Sequence, residues 1–259
     1  FFSEIQANFF STKILDRKMI GEIALFDIEK FDVAAEKILN SREKILKVAN
    51  EAYPSIVARG GGACEIEVKK LEEGNTSFLV VYLTIDVKEA MGANIINTML
   101  EAIKPLLEEI THSKSLMAIL SNYATKSLVK ANCELDVKLL GGSEVAKKID
   151  LASKFAKMDI YRATTHNKGI FNGIDAVVIA TEAAGNAYAV KNGRYEGLTT
   201  WTFDENTNKL KGELILPMPV ASVGGSIGLN PSVKASFHIL NNPDAKTLAS
   251  IIISVGLAQ

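Results

Sequence analysis

The chain has 259 residues, 47% of them hydrophobic, and its 29 Lys and Arg nearly cancel its 30 Asp and Glu to leave a net charge of −1. Such a chain can bury one large core or two modest ones, and its balanced charge gives no global field for nucleic acid or an anionic membrane. Its two cysteines, Cys64 and Cys133, have no CxxC or Cys/His companions, which excludes a disulfide framework or a zinc site and makes the cytoplasm the default compartment.

No apolar run reaches the roughly 18 residues of a membrane span. The opening FFSEIQANFF lacks a basic flank and a small-residue cleavage site, so it does not read as a signal peptide. Because it also lacks an initiating Met, the chain is expected to be a fragment, or joined fragments, of a longer one.

Partial alternation predicts a strand from Lys18 to Ile28. Ala34 to Ala52 follows as a helix with Ala34, Ala35, Ile38, Ile45, Leu46 and Ala49 on one face, ended by Pro54 and by Gly60 to Gly62. Cys64 to Lys70 alternates strictly and Phe78 to Val87 is apolar and β-branched, a hairpin joined by the turn EEGN. A helix from about Glu89 to Ile110 and a short buried strand from Leu116 to Leu120 complete the order β, α, β, β, α, β, that of a ferredoxin-like split βαβ sandwich.

The remainder reads as a strand from Leu128 to Val137, a helix from Ser143 to about Met158, a hairpin (Gly197 to Phe203 with Lys209 to Leu216) and helices from Pro231 to Leu240 and Asp244 to Leu257. Val223 to Ser226 is a flexible loop. The fold class is thus α+β, with a small βαββαβ domain over 13–121 and a larger mixed α/β domain over 122–259, to which 1–12 belong as a remnant.

The densest polar stretch is Arg162 to Thr181, RATTHNKGIFNGIDAVVIAT. It reads as a functional loop with Arg162, Thr165, His166, Asn167, Lys168 and Asn172, entering a buried helix that carries Ile170, Phe171, Ile174, Val177 and Val178. A cation at a helix entrance opposes the helix dipole, so Lys168 should titrate below a free lysine or hold an anion. The alternative is a pair of solvated charges.

Asp86 to Asn94 places an acid, a glycine and an asparagine where a strand hands over to a helix, a suitable seat for phosphate or simply a cap. Arg59-Gly-Gly-Gly62 is a second loop at a strand end, or a turn and nothing more. Glu65, just after it, could accept ribose hydroxyls or merely face solvent. Neither GxGxxG nor GxxxxGK[ST] occurs, the three histidines lack metal-ligand spacing, and no Gly-x-Ser-x-Gly elbow is present.

The runs ARGGGACEIEV, DVKEAMGANIINTMLEAI, ILSNYAT, YRATTHNKGIFNGIDAVVIAT, YEGLTTW, LPMPVASVGGSIG and the final VGLAQ, in register over nearly the whole chain, resemble the class II hydroxymethylglutaryl-CoA (HMG-CoA) reductases. The resemblance implies reduction of the HMG-CoA thioester to mevalonate and free CoA by two hydrides from NADH or NADPH, or the reverse, at an active site between two subunits of a homodimer. Nucleic acid and membrane are not implied as partners.

Residue by residue, Lys168 then matches the catalytic lysine that stabilises the developing oxyanion. Arg162 and Asn172 match contacts to the hydroxymethylglutaryl portion. Glu89 (in place of a usual Asp), Met91, Gly92 and Asn94 match the dinucleotide loop. Asn122, Gly224 and Gly225 match further cofactor contacts, and Glu65 stands where NADH-preferring relatives carry Asp, which favours NADH. The small domain corresponds to the family's cofactor domain.

Three family segments do not occur: the glutamate-bearing EEPS run, the GND run with its aspartate, and the histidine-bearing C-terminal segment. Leu140-Gly141 resembles a shortened join. Two expectations follow: a reductase whose catalytic segments lie outside this chain, or an inactive scaffold that binds dinucleotide or CoA ester.

Overall fold

The computed structural model describes residues 9–175, 187–224 and 227–259. The chain divides into two compact units, one formed by Phe1–Asp16 with Ser127–Gln259 and the other by Arg17–Lys126. The second is inserted into the first along the sequence.

The inserted unit is built on a four-stranded antiparallel sheet. Its strands are β1 (Lys18–Phe26), β2 (Gly62–Glu73), β3 (Thr76–Asp86) and β4 (Lys114–Ser121), in the spatial order β2-β3-β1-β4. Strict alternation in β1 buries Met19, Ile23 and Leu25 on the face covered by helices, while Lys18, Ile20 and Glu22 take the other face. Helices α1 (Phe31–Asn40), α2 (Arg42–Ala52), the short α3 (Pro54–Ala58) and α4 (Ala93–Thr111) carry the matching side chains. One core joins Ile38, Ile45, Leu83, Ile96, Met99 and Ile103.

Two local expectations are corrected. The helix expected from Ala34 to Ala52 is two helices that meet at Ser41, a residue type that competes for backbone hydrogen bonds and favours breaks. The second of them ends at Ala52, before Pro54 as expected, and Pro54 also starts α3, its missing N–H costing nothing at the first turn. β4 is an edge strand with Leu116 56% and Met117 50% exposed, so it is not buried as its apolar letters suggested. The hairpin of β2 and β3 turns on Gly74-Asn75, with Gly74 at φ 58°.

The enclosing unit holds a second antiparallel sheet. Strands β5 (Phe10–Ile14), β6 (Leu128–Asp136), β7 (Thr199–Asp204) and β8 (Lys209–Pro217) lie in the order β5-β6-β8-β7. A two-residue ladder also pairs Val190–Lys191 with Arg194–Tyr195. Helices α5 (Ser143–Met158), α6 (Ile160–Asp175), α7 (Pro231–Ile239) and α8 (Ala245–Ala258) complete it. Val129, Ala131, Leu214 and Leu216 from the sheet pack with Ile170 and Ile174 of α6 and Ile252 and Ile253 of α8.

β5 was not anticipated, because its letters FSTKI alternate weakly and its pairing partner β6 is remote in sequence. No helix of the described residues is long and apolar enough to cross a membrane.

Candidate functional site

The polar stretch from Arg162 is helix, not loop. Asp159 caps it, its carboxylate accepting the Arg162 N–H at 2.7 Å and its carbonyl accepting the Ala163 N–H at 2.9 Å. Ala163, Asn167, Ile170, Phe171 and Ile174 are all buried at helical spacing, and the polar Asn167 within that stripe masks the periodicity. Asn167 is satisfied: its Nδ2 donates to the Glu196 carbonyl at 2.9 Å and its Oδ1 accepts the Leu198 N–H at 2.8 Å. Val177, Val178 and the rest of the stretch to Thr181 lie outside the described residues.

Lys168 therefore sits in the third turn of α6, beyond the first turn where the helix dipole acts. The repulsion expected from a helix entrance does not apply there. Its ammonium donates to Asn172 Oδ1, one turn further along the exposed side of the helix. At 3.6 residues per turn Arg162, Lys168 and Asn172 fall within an arc of about 120°. The helix thus brings the three expected residues to one side.

Among the described residues, the hollow beside α6 takes in Arg162 alone of the three. This hollow of ≈ 290 Å³ is lined by Arg162, His166, Ser153, Thr199, Trp201 and Gln259 among others, without Lys168 or Asn172. His166 Nε2 and Thr199 Oγ1 share a hydrogen bond of 2.5 Å whose direction follows the ring tautomer. Burial, and then the neighbouring Arg162 guanidinium, hold the His166 pKa below its ordinary value. The larger hollow of ≈ 630 Å³ beside β5 and α8 has no charged side chain in its lining, which makes it a poor seat for charge-stabilised chemistry.

In the inserted unit the expected cofactor residues gather at one end of the sheet, where β1, β2 start and β3, β4 finish. Glu89 and Met91 are half-buried in the turn after β3, Gly92 is buried, and Asn94 and Asn122 are exposed. Gly92 is the N-cap of α4 at φ 96°, and a Cβ there would lie 2.3 Å from Val87 Cγ1. Gly92, as the N-cap, has no side chain to offer the first N–H groups of α4. Asp86 does not cap the helix: it accepts the Lys88 N–H at 3.0 Å and pairs with the Lys88 ammonium at 2.8 Å.

The glycine run has a packing role as well. A Cβ on Gly61 would lie 2.4 Å from the Asp86 carbonyl oxygen, so the two loops touch backbone to backbone. Arg17 Nη2 donates to the Lys88 carbonyl at 3.1 Å beside them. Glu65 is not a lone carboxylate, since Lys126 Nζ lies 2.6 Å from its Oε2 and 3.2 Å from Thr84 Oγ1. That hydrogen bond and charge, followed by the charges of Arg42 and Lys18, hold the Glu65 pKa below the usual carboxylate range.

Lys126 was missed because it lies 61 residues from Glu65 in sequence. Gly224, at φ 90°, is exposed in a bend, and Gly225 lies outside the described residues. Cys133 is buried, its thiol pushed up to about 11 by burial, as suits an inert core residue.

The family model for hydroxymethylglutaryl-coenzyme A reductase matches residues 5–259. The chain belongs to this family. Among its relatives, the 3-hydroxy-3-methylglutaryl-coenzyme A reductase of Archaeoglobus fulgidus is 39% identical over 257 residues, covering 96% of this chain and 58% of the relative. A probable reductase of Borreliella burgdorferi is 32% identical, covering 99% of this chain and 63% of the relative. The chain thus spans about three fifths of these reductases.

The class II reductase of Streptococcus pneumoniae, solved bound to NADPH in open conformations, is 52% identical with a TM-score of 0.92, over 96% of this chain and 70% of that one. Another structure of the Streptococcus pneumoniae enzyme superposes with a TM-score of 0.93 and covers 62% of that chain.

Proposed function

We propose that the parent protein is an HMG-CoA reductase, converting the thioester to mevalonate and CoA by two hydride transfers from a reduced nicotinamide, or running the reverse. The observation that carries this reading is the Lys168–Asn172 pair with Arg162 on one side of α6, in a chain of this family. The inactive scaffold is not favoured, since its motivating gaps fall in a chain that spans only part of its relatives' length.

Lys168 is assigned the oxyanion. As hydride reaches the thioester carbon its oxygen gains negative charge, and a fixed ammonium at that oxygen lowers the barrier, by about 3 kcal/mol for one strong donor. Asn172 occupies one of the three ammonium donors and so fixes the lysine rotamer while leaving the others for substrate. When the resulting hemithioacetal collapses, the thiolate leaves as CoA and the aldehyde takes the second hydride, its oxygen again at Lys168. Arg162 is assigned the free carboxylate of the hydroxymethylglutaryl portion, which its planar guanidinium suits.

The inserted unit is assigned the dinucleotide. Its strand order with intervening helices supports the ferredoxin-like reading. The residues at the sheet end fit a pyrophosphate: the start of α4 at Gly92, with Arg17, Lys18, Lys88 and Lys126 nearby and Glu89, Met91, Asn94 and Asn122 around them. The nicotinamide supplies hydride when bound. The sequence favours NADH through Glu65, whereas the Streptococcus pneumoniae relative is solved with NADPH, so the reading carried forward is a reduced nicotinamide of either kind. A cytoplasmic homodimer, with the active site at the subunit interface, completes the proposal.

The test is consumption of reduced nicotinamide by the full-length protein with HMG-CoA. Two equivalents oxidised per thioester consumed is the expected result. No turnover with either nicotinamide would sink the reductase, and binding of CoA ester without turnover would revive the scaffold.

A further inference from the structure

The sheet of the inserted unit leaves one face uncovered by its helices, and several charged groups meet at one end of that face. Alternation and register place Lys18, Ile20, Thr84, Asp86 and Glu65 on this face: Lys18 is opposite Asp86, and both Ile20 and Glu65 are opposite Thr84. Lys126, in the segment after β4, is anchored through its carbonyl, which accepts the Lys18 N–H at 2.6 Å. From that anchor its side chain crosses the sheet to Thr84 Oγ1 at 3.2 Å and Glu65 Oε2 at 2.6 Å.

Arg42 approaches the same point, Nη2 lying 3.4 Å from the Cys64 carbonyl. One carboxylate therefore faces three cations, Lys126, Arg42 and Lys18. A carboxylate alone would repel a phosphate, whereas Glu65 has cations around it, with Asp86 opposite Lys18 as a second carboxylate at this end of the face.

We propose that Lys126 sets the choice between the two nicotinamide dinucleotides, by holding Glu65 for a ribose 2′-hydroxyl and by itself accepting a 2′-phosphate that displaces Glu65. The inference rests on the reading of the inserted unit as the dinucleotide unit, with the adenosine ribose at Glu65. With a 2′-hydroxyl, Glu65 accepts its hydrogen bond and stays on Lys126. With a 2′-phosphate, the ammonium exchanges one anionic partner for another of higher charge, Lys18 and Arg42 add to the attraction, and the exposed Glu65 side chain swings into water. A purely structural Lys126, tying the exit segment to the sheet, would instead affect both ligands alike.

The experiment is calorimetric titration of the full-length protein, wild type, Lys126→Gln and Glu65→Gln, with 2′,5′-ADP and with 5′-ADP. Lys126→Gln should weaken 2′,5′-ADP by about tenfold, the scale of one partly screened contact charge, and change 5′-ADP by no more than about twofold. Glu65→Gln should tighten 2′,5′-ADP. Equal weakening of both ligands, or an unchanged 2′,5′-ADP affinity in Lys126→Gln, would overturn the proposal. A wild-type protein that binds neither NADH nor NADPH would instead remove the dinucleotide reading itself, and this proposal with it.

Discussion

The side chain of Asn167 accepts the Leu198 N–H at 2.8 Å, tying the middle of α6 to the backbone that leads into β7. Its other arm holds the Glu196 carbonyl at 2.9 Å, and the residue is fully buried. Asn167→Ala leaves a buried donor (Leu198 N–H) and a part-buried acceptor (Glu196 carbonyl) without partners, at a cost of about 2 kcal/mol. Denaturant unfolding should show a lower midpoint with an unchanged slope. A loss below about 0.5 kcal/mol, the range of an ordinary surface substitution, would mean that water replaces the amide freely.

Lys168→Ala should lower the hydride-transfer rate by a factor of about 100 to 1000, the usual consequence of losing one preorganised oxyanion donor. Dinucleotide affinity should be unchanged, because the dinucleotide is assigned to the inserted unit. Asn172→Ala should cost less, since the ammonium survives and only its rotamer is freed. Single-turnover kinetics on the full-length protein decides the matter, and a Lys168→Ala enzyme retaining more than half the rate would reduce Lys168 to a surface charge.

Gly92→Ala combines two penalties. The residue would be held at φ 96°, and its new methyl would sit 2.3 Å from Val87 Cγ1. A strained backbone conformation alone costs on the order of 1 to 3 kcal/mol, so thermal unfolding should move down by several degrees. Adding Val87→Ala should relieve only the steric part. A double variant as stable as wild type would show that φ carries no cost there.

His166 predicts a pH dependence of stability. Its folded-state pKa is lowered by burial and by Arg162, so the unfolded chain binds the proton more readily. Stability therefore falls as pH drops through the ordinary histidine value near about 6.5, until the folded pKa is also passed. In His166→Gln this loss should disappear from the interval between about pH 7 and 5, in equilibrium unfolding at several pH values. Equal slopes for the two proteins would assign the interval to other groups. The carboxylates act lower: Asp204, held at about 2 chiefly by hydrogen bonds from Lys211 and Thr207, contributes stability that is lost only as pH falls below the ordinary aspartate range.

Much of this fold was readable because its signals are local. Gly74-Asn75 between two alternating runs marks a hairpin, and Pro231 marks a helix start, which the structure caps with Asn230. The polar stretch of α6 misled for a local reason too. Gly169 and Gly173 look like loop residues, and Asn167 looks solvent-bound, while its amide is satisfied by backbone near residue 197 that no window around it contains. Lys126 and β5 were invisible for the same physical reason, since each gains its meaning from a partner far along the chain. The residues expected at the substrate do share one side of α6, but the cavity beside Arg162 is not legible in the sequence, because its other walls come from α5, β7 and α8.

The insertion has a kinetic consequence. Within the enclosing unit the Leu15 N–H reaches the Leu128 carbonyl at 2.8 Å, and within the inserted unit the Lys18 N–H reaches the Lys126 carbonyl at 2.6 Å. Zipping β5 onto β6 while everything between them is random coil would close a loop on the order of a hundred residues, an entropy loss of about 4 kcal/mol. Once 17–126 has folded, its two ends already lie side by side, and that loss has been met by its own core. The insert therefore acts as a clasp for the sheet around it, and assembly that begins with the insert spares the outer sheet its slowest search.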